Sequence, residues 1–225
     1  MDFISKLFPN VITKIPELIE SFNQTIYMVL ISGIISLFFG MIIGVLLIVT
    51  KKKGILENKL IYTTLDKVVN IFRTIPFIIL LAALIPLTRF IVGSAIGTKG
   101  AIVPLIFGTV PFLSRQIETA LAEMDHGLIE AAQSMGSSPI QIIFRVYLKE
   151  SIPNIVRAVT ITIVSLIGLT AMAGAIGGGG LGDFAIRYGH QRNQVDATYA
   201  TVIILIILVN LIQGISNYFI RKSTH

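Results

Sequence analysis

Asp125-His126-Gly127-Leu128-Ile129-Glu130-Ala131-Ala132-Gln133-Ser134-Met135-Gly136-Ser137-Ser138-Pro139-Ile140-Gln141 lies inside the largest polar interruption of an otherwise apolar chain, Ala122–Ser151. Asp125 is placed to cap a short helix, His126–Met135, by accepting from its first free backbone N–H groups. Gly136 then stands where a helix ends in the left-handed conformation. Ser138, Pro139 and Gln141 have the order of a helix start: a hydroxyl cap, proline at the first position, and glutamine where a capping box places it. The second helix is expected from Pro139 to about Glu150, with Ile140, Ile143, Phe144, Tyr147 and Leu148 as an apolar stripe. The stretch therefore reads as two short helices joined at a glycine.

On both sides of this loop the chain is built for lipid. It has 225 residues, 54% hydrophobic and only 13% charged. A soluble domain carries about 25% charged residues. Several apolar runs reach the roughly 20 residues that cross a hydrocarbon core about 30 Å thick. The predicted fold class is all-α integral membrane, with five transmembrane helices near residues 21–50, 60–90, 101–121, 152–176 and 199–220. Residues 1–20, with Phe3, Ile4, Leu7, Phe8, Val11, Lys6 and Lys14, read as an interfacial segment rather than a secretory signal. Residues 221–225 form a basic tail. Pro76 and Pro86 predict kinks in the second span, and Gly40-x-x-x-Gly44 predicts close helix contact in the first.

Basic residues set the expected orientation, since cytoplasmic loops collect Lys and Arg. An outside N-terminus and cytoplasmic C-terminus place Lys51, Lys52, Lys53, Lys59, Lys67, Arg73, Arg115, Arg145, Lys149, Arg157, Arg221 and Lys222 inside. Lys6, Lys14, Arg89, Lys99, Arg187 and Arg192 remain outside. The net charge of +6 is accounted for in this way, without nucleic acid as a partner. Cysteine is absent, and His126, His190 and His225 share no ligand spacing, so no metal or thiol chemistry is indicated. Gly177-x-Gly179-x-x-Gly182 matches a dinucleotide fingerprint in letters alone. It follows a membrane span and lacks the strand that such a loop needs, so it reads as a tightly packed turn. Arg115 and Glu118, three residues apart, are expected to form a structural ion pair.

Glu130-Ala131-Ala132-x-x-x-Gly136, followed by Val146-x-Leu148, resembles the EAA loop of type I ABC importer permeases. Arg73-Thr74-Ile75-Pro76-Phe77, Pro111-Phe112-Leu113-Ser114-Arg115-Gln116-Ile117-Glu118 and Ala171-Met172-Ala173-Gly174-Ala175-Ile176 look like the methionine importer branch. So do the run Gly177–Asp183, Ile186-Arg187-Tyr188-Gly189 and Gln191-Arg192. The resemblance covers nearly the whole chain from Ser21 onward. Its one departure is Lys149, where the family often has proline; Pro153 follows four residues later.

The resemblance implies the type I ABC importer permease fold, with 122–151 as the cytoplasmic coupling loop within a permease domain of residues 21–220. Glu130, Ala131, Ala132, Ser134, Met135 and Gly136 would couple to an ATPase. It also implies a second copy of the chain, two cytoplasmic ATP-binding subunits, an extracytoplasmic binding protein or lipoprotein, and a multi-pass place in the bacterial cell membrane. The cargo implied is methionine. ATP and magnesium would bind the partner subunit, leaving this chain with no cofactor and no catalytic residue; no Gly-x-x-x-x-Gly-Lys-Ser/Thr occurs in it. Met172, Thr170, Ser165 and Thr162 are the expected translocation path or gate, a weakly polar and thioether lining suited to a zwitterion with an apolar side chain. The competing readings are a permease for another amino acid or osmoprotectant, an ion-coupled carrier, and a membrane enzyme. The missing midplane carboxylate counts against a carrier, and the missing nucleophile–base pair against an enzyme.

Overall fold

Proline, glycine, capping side chains and apolar length set the helix ends in this chain. The computed structural model describes residues 7–223, and those residues contain helices and no strand. The helices are α1 (Pro9–Ile12), α2 (Ile15–Thr50), α3 (Lys59–Thr74), α4 (Phe77–Ala83), α5 (Ile85–Val92) and α6 (Gly97–Ala122). They continue as α7 (His126–Ser134), α8 (Pro139–Ile142), α9 (Leu148–Glu150), α10 (Ile152–Ala173), α11 (Gly180–Phe184) and α12 (Val195–Ser223). Wider π turns occupy Ile143–Tyr147, Gly174–Gly178 and Ala185–His190.

Ile15–Thr50, Gly97–Ala122, Ile152–Gly178 and Val195–Lys222 are long and apolar enough to cross a membrane. The first has 36 residues, which at 1.5 Å per residue exceeds a hydrocarbon core of about 30 Å. It begins at Ile15, so the last residues of the expected interfacial segment are continuous with the span. Phe3, Ile4 and Lys6 of that segment, and Thr224 and His225 of the basic tail, lie outside the described residues.

The second expected span is not one helix. Ile75 takes extended angles (φ −78°, ψ 122°) and ends α3, as the residue before a proline tends to do. Leu84 leaves helical geometry (ψ 2°), and Pro86 falls in the first turn of α5, where its missing N–H is harmless. Asn58 caps α3 by accepting from the N–H groups of Leu60 and Ile61.

The chain divides into two compact units. The first comprises the described residues of Met1–Ile34 with Pro76–Phe107 and Ile163–Ile212. Met28, Ala101, Leu105, Leu166 and Ala173 form one core there, and Val11, Phe184, Tyr188, Ala197 and Ala200 another. The second unit comprises Ile35–Ile75, Gly108–Thr162 and the described residues of Gln213–His225. Its core gathers Ile48, Val49, Leu113, Ile117, Leu121, Ile129, Ala132, Ile142, Tyr147 and Ala158. Gly40 and Gly44 provide the expected close contact. A Cβ on Gly40 would stand 2.9 Å from the Leu113 side chain, and one on Gly44 2.6 Å from Ile117 Cβ.

Large apolar side chains such as Ile34, Phe38, Ile206 and Leu211 stay exposed, which lipid permits. Several hydroxyls within the spans are satisfied locally. Ser32, Thr50, Ser114 and Thr201 each donate to the carbonyl four residues earlier in their own helix.

Candidate coupling loop and translocation path

The loop from Asp125 onward folds as its caps dictate. An Asp125 carboxylate oxygen accepts from Gly127 N–H at 2.8 Å and starts α7. At the other end Gly136 has φ +76°. Gly136 N–H donates to Gln133 O at 2.9 Å, and Ser137 N–H to Ala132 O at 3.1 Å. That pair of bonds is a Schellman closure. Ser138 and Gln141 then form a reciprocal capping box at the start of α8. A helix this short is held by such caps and by its buried face, because isolated helices of under a dozen residues are marginal.

α7 has two faces. Ile129 and Ala132, three apart, enter the second unit's core at 6% and 4% exposure. Glu130, Ala131, Gln133, Ser134, Met135 and Gly136 are exposed. Leu128, Ala131 and Met135 share an outward stripe, with Leu128 at 44% and Met135 at 79% exposure. Of the expected coupling residues, Ala132 therefore anchors the helix while the others are presented outward. Ser134 Oγ donates to Glu130 O at 2.9 Å, within the helix. Leu128 was not singled out from sequence. Its offset of three from Ala131 and seven from Met135 is the signal that marks it.

The apolar stripe expected on the next helix is displaced. Ile142 and Tyr147 are buried, whereas Ile140 and Phe144 are exposed. The π turn Ile143–Tyr147 inserts an extra residue per turn, so side chains five apart share a face. Burial also raises the pKa of the Tyr147 phenol, which keeps it neutral.

Arg115 and Glu118 pair as expected, Nη1 to Oε2 at 2.5 Å. The network also reaches α3. Arg115 Nη2 donates to Asp66 Oδ1 at 2.6 Å and to Asn70 Oδ1 at 3.1 Å. One guanidinium thus ties an amphipathic helix to a membrane span by its planar fork.

In the first unit, Met172 is 40% exposed on α10, and Gly168 and Ile176, four residues to either side, are also exposed. Ser165 is partly buried. Thr170 points inward, 1% exposed, with Oγ1 donating to Ile167 O. In the second unit Thr162 is 4% exposed and donates to Ala158 O. Two of the expected path residues therefore spend their hydroxyls on their own helix. The described residues hold no cluster of His, Cys, Asp or Glu suited to a metal.

Comparison with known proteins decides the family. Residues 36–225 match the binding-protein-dependent transport system inner membrane component family. The chain belongs to that family. Among its relatives, the probable D-methionine transport system permease protein MetI of Vibrio cholerae is 51% identical over 202 residues, 90% of each chain. The methionine import system permease protein MetP of Bacillus subtilis is 43% identical, covering 94% of this chain and 95% of its own. An inward-facing structure of the MetNI methionine ABC transporter superposes with a TM-score of 0.90 at 42% identity, over 95% of this chain and 99% of that one. This inner membrane component thus has the type I ABC importer permease fold.

Proposed function

We propose that this chain is the membrane-spanning permease subunit of an ATP-driven methionine importer. It works with a second copy of itself, two cytoplasmic ATP-binding subunits and an extracytoplasmic binding protein that delivers the amino acid. The N-terminus lies outside and the C-terminus in the cytoplasm, as the distribution of Lys and Arg favours. The substrate reading is supported by relatives named for methionine transport that match this chain almost end to end.

One observation carries the mechanism: α7 is exposed on one face and rooted in the core on the other. The outward face offers Leu128, Ala131 and Met135 to a cleft on the ATP-binding subunit, with Glu130 as a hydrogen-bond acceptor beside them. The inward face, Ile129 and Ala132, belongs to the core that holds Ile48 of α2, Leu113 and Ile117 of α6, and Ala158 of α10. Closure of the ATP-binding subunits around ATP and magnesium supplies the force. A displacement of α7 is passed to three spans by packed side chains instead of being absorbed by a slack loop. In the first unit, Met172 lies on an exposed face of α10, where two copies close the path with soft thioether side chains. Ser165 lines the same helix.

The test is uptake into proteoliposomes that hold the permease with its co-purified ATP-binding subunit and binding protein. Uptake of methionine should require internal ATP and fall only when unlabelled methionine competes. Preferred uptake of another amino acid or a betaine would move the substrate assignment. Uptake driven by an ion gradient without ATP would end the reading.

A further inference from the structure

Thr25 departs from the other span hydroxyls described above. Its Oγ1 accepts an N–H from another element, that of Leu181, at 2.9 Å and 2% exposure. One residue earlier on α2, Gln24 Oε1 accepts from Gly180 N–H at 2.7 Å. Gly180 and Leu181 open α11, and the first N–H groups of a helix have no partner within it. Such groups are ordinarily capped by the side chain just before the helix. Here that position is Gly179, which has none. The cap comes from a helix 156 residues away in the chain.

The glycines and the two acceptors form one fitted device. Gly179 and Gly180 have φ +76° and +82°, a region that favours glycine. A Cβ on Gly179 would lie 2.6 Å from Gln24 Oε1, and one on Gly180 2.7 Å from Thr25 Oγ1. The contact continues to α10 by backbone. A Cβ on Gly182 would collide with Ala171 O, and one on Gly174 would lie 2.6 Å from Gly179 O and 2.7 Å from Asp183 N. Ala171 and Gly174 flank Met172, and Ala173 between them is fully buried. Between the turn and α10 these close approaches are backbone to backbone.

We infer that Gln24 and Thr25 are positioning residues for the Met172 segment: by capping Gly180 and Leu181 they lock the end of α10 to α2, so that the helix end carrying Met172 moves only with the first span. This deepens the gate reading above and rests on it. The bonds hold the turn, the turn holds Ala171 and Gly174, and these fix where the Met172 side chain stands.

Hydrogen exchange and substrate leak, measured on the assembled transporter, test this. In the unmodified protein the Gly180 and Leu181 amides should be protected, and amides exchanging at the rate of an open loop would overturn the lock at once. Thr25→Val and Gln24→Leu should speed exchange in residues 178–184 by about fivefold, the factor carried by a hydrogen bond of ordinary net strength. Both should also raise ATP-independent leak of methionine from loaded proteoliposomes, while Thr25→Ser, which keeps the acceptor, stays near the unmodified level. Faster exchange with no added leak would make the bonds merely structural and overturn the inference. Met172→Ala separates the two readings. If it leaks and Thr25→Val does not, the lock fails and the gate stands. If Thr25→Val leaks and Met172→Ala does not, the lock stands and Met172 is not the gate.

Discussion

In the proposed coupling role, Gly136 and Glu130 act in different ways. A Cβ on Gly136 meets no atom of the chain within 4 Å, so within the chain Gly136→Val acts chiefly through the backbone. Left-handed geometry costs an L-residue about 1–2 kcal/mol, too little to unfold the chain but enough to undo the Schellman closure of α7. ATP-driven uptake should be lost while membrane insertion persists, and Glu130→Arg should do the same by reversing a charge on the outward face. Uptake assays beside a thermal melt of each variant check this. Met172→Ala should leak with little change in melting temperature, since an exposed side chain leaves no cavity; a buried methionine would cost about 2–5 kcal/mol. At this scale the helix ends of the 122–151 loop were legible because caps and termination signals are local. The path residues were less so. Residue type does not say where a threonine hydroxyl in a membrane helix finds its partner; those of Thr162 and Thr170 bond carbonyls of their own helix.

Whole elements were legible where apolar length alone decides, as in the spans of α2, α6, α10 and α12. The second span was not. Its start mixes Asp66, Lys67 and Asn70 with apolar residues, and the structure uses that polarity to bind Arg115 on α6. Pro76 then breaks the helix outright, with Ile75 already extended. The π turn at Ile143–Tyr147 was equally hidden, because stripe reading assumes one period throughout. Two predictions belong to elements. Gly44→Ala should lower thermal stability by about 1–3 kcal/mol through overpacking against Ile117. Gly33→Ala should be near neutral, since its Cβ would sit 3.6 Å from Leu166 Cδ2, ordinary contact. Likewise Asp66→Ala should lower the melting temperature in detergent, whereas exposed Lys67→Ala should not, if the Arg115 network ties α3 to α6.

For the whole molecule, everything turns on which side of the membrane α7 faces. The inner membrane component family and the type I permease fold place this chain in a bilayer, and the two units described here each carry their own core. The charge bias across its loops favours a cytoplasmic α7, and only there can the helix meet an ATP-binding subunit. The sequence contains no cysteine, so a single introduced thiol is the only one in the chain. Met135→Cys, at the most exposed position of the α7 stripe, should resist a membrane-impermeant maleimide in intact spheroplasts and react once the membrane is opened, with Lys99→Cys labelled in both. Labelling of Met135→Cys in intact spheroplasts would put α7 outside and contradict the coupling account.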